Sequence, residues 1–266
     1  MRDRFNRTID YLRVSVTDRC NLRCAYCPPP GEGGLVRQDR VLSFEEITEV
    51  VQAAVSLGVR KVRLTGGEPL LRPGLPVLVP MLARIDGIDD LAMTTNAILL
   101  ERYASTLAAA GLRRVNVSLD TLCPERFREI TRGGDLSGAL AGIEAAEAAG
   151  LTPIKLNCVV RESSDEPDAR AVAGFGRARG YTVRFIREMD SALGVFSVVE
   201  GGAGGDCPRC NRLRLSCDGV LRPCLFSDLG FDVRALGISR ALRAAVREKP
   251  AAGGPCAPGS IRRVGG

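Results

Sequence analysis

The chain has 266 residues, 45% of them hydrophobic, which suffices for one large α/β domain with an appended lobe. It contains no histidine, so Ser-His-Asp and Cys-His catalysis, HExxH zinc sites and histidine-ligated haem are excluded. Its formal charge of +6 is accompanied by only 5% aromatic residues, with no aromatic-rich basic strand for stacking bases, so no nucleic-acid partner is expected.

In chain order, short apolar runs alternate with helical patterns. A strand is expected over 11–16, and Cys20-Asn21-Leu22-Arg23-Cys24-Ala25-Tyr26-Cys27 follows it closely. A helix over 44–57 opens on the capping box Ser43-Phe44-Glu45-Glu46. Further strands are expected at 62–65, leading into Gly66-Gly67-Glu68-Pro69, and at 91–94, leading into Thr95-Asn96. A fourth covers 114–119, with Ser118 and Asp120 at its end. Helix 136–149 is stopped by Gly150, and strands at 154–160 and 181–186 complete six units. This alternation predicts parallel strands with right-handed crossovers, an α/β fold built as a partial (β/α)6 barrel of TIM type. The barrel is expected over residues 1–190 and a small lobe over 191–266, with the Gly-rich stretch Glu200 to Gly205 as a linker. Ligands of such barrels gather at the carboxyl ends of the strands, where these motifs fall. No run approaches the ~20 apolar residues of a membrane span and no signal-like segment follows the charged start, so a cytoplasmic location is expected.

Ten cysteines, grouped rather than scattered, suggest reduced thiols and metal rather than disulfides. The CxxxCxxC spacing of Cys20, Cys24 and Cys27 can hold three irons of a [4Fe-4S] cluster and leave the fourth open, whereas structural zinc prefers four protein ligands. A zinc knuckle borrowing a distant cysteine, or incidental cysteines, remain alternative readings of the spacing alone. A second group follows at Cys207-Pro208-Arg209-Cys210, Cys217 and Cys224. Asp218-Gly219 between alternating apolar residues predicts a hairpin that returns Cys224 to the CxxC and leaves Cys217 on the first strand. Zinc with Cys217 as a fourth thiolate is the alternative there. Cys123, Cys158 and Cys256 have no partner at ligand spacing.

Gly66-Gly67-Glu68-Pro69 combined with CxxxCxxC resembles the radical S-adenosylmethionine (SAM) enzymes, and within them the GTP 3',8-cyclase (MoaA) family of molybdenum cofactor biosynthesis. The resemblance is carried by Leu12 to Asn21, Val62 to Leu70, Thr94 to Asn96, Val115 to Asp120, Cys207 to Phe226 and the terminal Gly265-Gly266, so it touches nearly the whole chain. It implies a lyase with two [4Fe-4S] clusters and SAM as cofactors. Cys20, Cys24 and Cys27 would hold the SAM cluster, and Tyr26, Gly66, Gly67, Glu68, Thr95, Ser118 and Met189 would lie around SAM. Cys207, Cys210 and Cys224 would hold an auxiliary cluster whose open iron meets the guanine. Lys61, Arg63, Lys155, Asn157, Arg184, Arg212 and Arg214 match positions that contact the nucleotide or its triphosphate, and the arginine fork suits phosphate oxygens. Arg13, Lys155, Arg212, Arg214 and the Gly265-Gly266 tail match groups needed at the active site. In the implied reaction, one electron cleaves SAM to a 5'-deoxyadenosyl radical, which takes the C3' hydrogen of GTP before the ribose attacks guanine C8. The implied partners are GTP or a related nucleotide, a one-electron reductase such as flavodoxin or ferredoxin, and a downstream cyclic pyranopterin monophosphate synthase. A homodimer is the assembly considered.

The chain departs from the family pattern in places. Only 17 residues, 190 to 206, separate Met189 from Cys207 where the family has a markedly longer segment. Arg187 and Glu188 stand where Glu and an aromatic are usual, Cys217 where a small or hydroxyl residue is common, and the region after Cys224 is short. The alternatives are therefore a radical SAM enzyme with an auxiliary cluster acting on another nucleotide or a peptide, and a non-catalytic metal-binding nucleic-acid module. Retention of Gly265, Gly266, Arg212 and Arg214 favours the cyclase.

Overall fold

Strands β1 (Tyr11–Ser15), β2 (Lys61–Thr65), β3 (Asp90–Thr95), β4 (Arg114–Ser118), β5 (Lys155–Val160) and β6 (Thr182–Arg187) lie side by side in chain order, all parallel. The computed structural model describes residues 1–27, 34–257 and 264. Each of the six strands forms within one residue of its expected bounds, since period-two burial and flanking turn residues mark them in the sequence. The sheet stays open. Beyond β1 it continues into β7 (Arg212–Leu215), parallel to β1, then β8 (Val220–Arg222) and β9 (Phe231–Asp232), both antiparallel. This is the expected partial barrel, extended at its β1 side by three strands.

Helices α1 (Phe44–Ser56), α2 (Leu75–Ala83), α3 (Ala104–Ala109), α4 (Pro124–Thr131), α5 (Leu136–Ala148) and α6 (Pro167–Ala178) connect the parallel strands. The capping box of α1 forms as expected: Ser43 Oγ accepts from Glu46 N at 3.2 Å, and Glu46 Oε2 accepts from Ser43 N at 2.7 Å. The buried stripe of α1, with Ile47, Val50, Val51 and Ala54, joins Leu12, Val14, Val62, Leu64, Val115 and Leu156 of the strands in one core. Helices α7 (Val233–Leu236) and α8 (Ile238–Arg247) follow β9, and Leu242, Ala245 and Val246 of α8 enter the same core. Arg234 of α7 donates to both carboxylate oxygens of Glu46, at 2.7 and 2.8 Å, and so fastens the chain's last helices to α1.

Strand alternation decides what fills the other face. With Leu12, Val14, Val62, Leu64, Val115, Val117, Leu156, Leu213 and Leu215 turned toward the helices, the intervening residues line the concave side. The cations among them are Arg13, Lys61, Arg63, Arg114, Lys155, Arg184, Arg212 and Arg214.

Candidate active site

The first cysteine set sits on the loop after β1, and four contacts fix that loop. Arg23 N and Ala25 N donate to Thr131 and Ile130 carbonyls at the end of α4, at 3.1 and 2.8 Å. Asn96 Nδ2, just beyond β3, donates to Asn21 Oδ1 at 2.8 Å. Tyr26 donates to Asp120 beyond β4 at 2.7 Å. Cys27 N donates to Cys24 O at 3.0 Å, closing the turn between two of the thiols. Burial, with Asp120 and the neighbouring Cys20 and Cys27 adding to it, pushes the Cys24 thiol up to about 12.

Gly66 and Gly67 are required by close approach of backbone to backbone. A Cβ on Gly66 would lie 2.4 Å from Thr17 O and one on Gly67 2.2 Å from Arg19 O. Gly67 N donates to Thr17 O and Glu68 N to Arg19 O, each at 2.8 Å, so the Gly-Gly-Glu-Pro segment seats the chain that enters the cysteine loop. Glu68 is 1% exposed. Its carboxylate accepts from Thr95 Oγ1 at 2.7 Å, Asn96 N at 2.7 Å and Leu70 N at 3.1 Å, which binds the end of β2 to the end of β3. Burial nevertheless prevails over these hydrogen bonds and raises its carboxyl to about 7. Ser118 is half-buried at the end of β4. Met189, just past β6, packs with Phe196 and Cys224 against Phe226 and Cys256.

The concave face carries the basic residues named from the sequence. Arg13 of β1 stands in register between Arg63 of β2 and Arg214 of β7, and Tyr11 between Lys61 and Arg212. Farther along, Asn157 lies between Ser118 and Arg184, with Lys155 beside Asn116. Burial, then Arg214, Arg63 and Arg212 among its neighbours, holds Arg13 well below the ordinary guanidinium range. Arg214 is brought down to about 10, by burial first and Arg212 next. Lys155 is lowered by burial and by Arg184, Arg114 and Arg63. Tyr11 Oη, Arg63 Nε, Thr94 Oγ1, Asn116 Nδ2, Arg184 Nε and Arg214 Nη1 are buried without a hydrogen-bond partner. Buried polar groups are normally satisfied by protein, water or ligand, so this row of donors on one face is hydrogen-bonding capacity open to a polar ligand or to water.

Arg114, Asn116 and Tyr11 of this face are not among the site residues expected from the sequence. Arg114 is ion-paired to Asp90 and donates to Asn116 Oδ1 at 2.9 Å, while Arg63 lies over the Tyr11 ring, 5.2 Å from its centroid. Strand parity was the available signal: Arg114 precedes the buried Val115 and shares a face with Asn116 and Ser118.

The second set lies at the opposite end of the barrel. Cys207 and Cys210 precede β7, which runs parallel to β1, whereas the first set follows β1. The five residues of β1 between them span about 17 Å at ~3.3 Å per residue. The expected hairpin is present: Arg214 pairs Arg222 and Leu215 pairs Leu221 across a turn closed by Gly219 N donating to Ser216 O at 3.1 Å. It returns Cys224 toward Cys210, and both thiols lie within electrostatic reach of Lys249 and Arg214. Burial raises the Cys210 thiol, but Lys249 and the Arg212 amide and guanidinium outweigh it and bring the thiol to about 7. Cys217 is buried at the hairpin's far tip near Arg72, about 20 Å along the strand from Cys210. Its position excludes it from a site shared with Cys207, Cys210 and Cys224.

Among the described residues, no three His, Cys, Asp or Glu side chains converge as one metal ion requires. Cluster cysteines each take a different iron, so they stand farther apart than ligands of one ion. Two three-thiol sets without imidazole, one held by a network of loop anchors and one beside buried cations, have the donor chemistry of [4Fe-4S] clusters. Gly265 and Gly266 lie outside the described residues. Among the described residues no helix is long and apolar enough to cross a membrane.

Residues 14–172 match the radical SAM superfamily family model. The chain is 41% identical to the GTP 3',8-cyclase of Thermodesulfovibrio yellowstonii, over 93% of this chain and 91% of that protein. It is 42% identical to the GTP 3',8-cyclase of Pelotomaculum thermopropionicum, covering 88% of this chain and 87% of that one. The first alignment spans 294 positions against 266 residues here, so that relative carries at least 28 residues this chain lacks, in keeping with the short segments seen in the sequence. In fold it is similar to Streptococcus suis SuiB bound to S-adenosylmethionine, at 13% identity and a TM-score of 0.63 over 97% of this chain and 70% of that one. It is likewise similar to anSMEcpe with bound AdoMet, at 16% identity and a TM-score of 0.61 over 91% of this chain and 81% of that one. Sequence, fold and paired thiol sets agree: the chain belongs to the GTP 3',8-cyclase family of radical SAM enzymes.

Proposed function

We propose that the chain is a GTP 3',8-cyclase, a lyase that converts GTP to (8S)-3',8-cyclo-7,8-dihydro-GTP with SAM and two [4Fe-4S] clusters. The observation that carries this reading is the row of buried, partly unpartnered cations on the concave face, set between two thiol sets at opposite ends of the barrel. Burying like charges together is unfavourable unless a counter-charge joins them, and a triphosphate supplies several in one molecule. Arg63, Arg184 and Arg214 bind its oxygens, with Arg13, Lys61, Lys155 and Arg212 adding charge and Asn157 a polar contact. Cys20, Cys24 and Cys27 hold the cluster that, with SAM bound, supplies reductive one-electron chemistry. Tyr26, Gly66, Gly67, Glu68, Thr95 and Ser118 shape the SAM end, whereas Met189, expected there from the resemblance, packs with Cys224 of the second set. Cys207, Cys210 and Cys224 hold the second cluster, at the nucleotide end. Between them the protein orients the ribose and keeps water out, since an alkyl radical abstracts hydrogen from almost any nearby C–H bond. The Gly265-Gly266 tail completes the site in this reading. A one-electron reductase and a synthase that consumes the cyclised nucleotide are its functional partners.

Anaerobic reconstitution tests this directly. The expected result is about eight irons per chain, and 5'-deoxyadenosine formed together with the cyclised nucleotide when SAM, reductant and GTP are supplied. SAM cleavage that never consumes GTP, but does turn over with another nucleotide or a peptide, would replace the substrate assignment while leaving the family in place.

A further inference from the structure

Lys249 follows α8 and belongs to none of the motifs above, yet it is 1% exposed. Its ammonium donates to Arg212 O at 2.8 Å and to Pro223 O at 2.5 Å, and stands within electrostatic reach of the Cys210 and Cys224 thiols. Arg212 lies two residues beyond Cys210, and Pro223 immediately precedes Cys224. The β7–β8 pairing ends at Arg214 and Arg222, and Pro223 has no N–H with which to extend it. Lys249 closes the open end of the hairpin instead, because an ammonium's three N–H groups can serve both strands at once.

The next residues are fixed to the third cysteine. Arg7 is 7% exposed and paired to Asp3 at 2.6 Å. It donates to the carbonyls of Cys207 at 2.8 Å, Ala251 at 2.9 Å and Pro250 at 2.6 Å. One short segment, 249–251, is thereby tied to the backbone beside each cysteine of the set.

We propose that Lys249 is the positioning residue of the second cysteine set, a buried ammonium that holds Cys210 and Cys224 together and favours the more negative, reduced state of the cluster they carry. The inference rests on reading Cys207, Cys210 and Cys224 as cluster ligands. A fixed cation in a poorly solvated site acts more strongly on an added electron than a solvated one, so the cluster's midpoint potential is raised by it.

The test uses the full chain carrying Cys20→Ala, Cys24→Ala and Cys27→Ala, so that the second cluster alone contributes iron and signal. Its midpoint potential is read by electron paramagnetic resonance during reductive titration, and its iron is counted. Lys249→Met should shift the potential to more negative values or lower the iron content, and Lys249→Arg should restore both. Full iron at an unchanged potential in Lys249→Met, or a loss that Lys249→Arg does not restore, overturns the proposal. If circular dichroism shows Lys249→Met unfolded, Lys249→Gln is judged by the same criteria, since it keeps two N–H donors without the charge. A parent that takes up no iron overturns the cluster reading itself and this inference with it, an outcome distinct from failure of Lys249 alone.

Discussion

Tyr26 donates its phenolic hydrogen to Asp120 Oδ2 at 2.7 Å, joining positions 94 residues apart, and Asp120 Oδ1 accepts from Val159 N at 2.8 Å. The cysteine loop after β1 is thereby tied to the carboxyl ends of β4 and β5. Burial raises both the Tyr26 phenol and the Asp120 carboxyl above their ordinary ranges. Tyr26→Phe leaves a buried carboxyl short of a partner, so a loss of roughly 1–3 kcal/mol is expected, with weaker iron retention by the first set. Denaturant melts and iron counts check it; a variant matching wild type in both would show that the contact does not hold the loop.

Glu68 gives the metal-free protein a pH dependence of defined sign. Its carboxyl rises from 4.5 to about 7 on folding, so the native state binds the proton more tightly than the unfolded chain. The corresponding stability is full below about pH 4.5 and is lost as pH climbs through about 7. A shift of this size corresponds to about 3 kcal/mol. Glu68→Gln should flatten the difference in unfolding free energy between the two ends of that window, and parallel profiles for both proteins would refute the assignment.

Gly67→Ala tests the close approach of two backbones. The added methyl would lie 2.2 Å from Arg19 O and 2.5 Å from Arg19 C, neither of which can swing aside as a side chain would. A loss of about 3 kcal/mol or more is expected, together with failure to cleave SAM. Retained melting temperature and retained 5'-deoxyadenosine formation would mean that the loop entry is looser than its geometry indicates.

Arg63→Leu should separate stability from binding. Removing a buried cation that faces other cations relieves like-charge repulsion, so the ligand-free protein is expected to gain about 1 kcal/mol. GTP binding should weaken by roughly tenfold or more, as expected for a lost charge-assisted hydrogen bond, while SAM cleavage without GTP persists. Calorimetry and product analysis decide it; a less stable variant that binds GTP normally would assign Arg63 to the scaffold.

Cys217→Ser should leave the iron content unchanged, because its position at the tip of the hairpin is remote from Cys210 and Cys224. The cost should be about 1 kcal/mol from placing a hydroxyl in a fully buried site. A loss of iron in this variant would require a rearranged hairpin.

Much of the barrel and of the first site was legible in the chain because the determining interactions are local. Alternation in Tyr11–Ser15, the Ser43 to Glu46 capping box, the CxxxCxxC spacing and the Asp218-Gly219 turn each act over a few residues, so composition and spacing alone specify them. The tertiary structure decided where β7 goes. Its parallel pairing beside β1, about 200 residues away, places Arg214 next to Arg13 and puts the two cysteine sets at opposite ends of one barrel. No local pattern encodes that choice, since it depends on which exposed edge of the sheet the hairpin can bury. Nor could the chain alone reveal Lys249 or Arg7, whose lone charges look like solvated surface groups until folding buries them against the carbonyls of Arg212, Pro223 and Cys207.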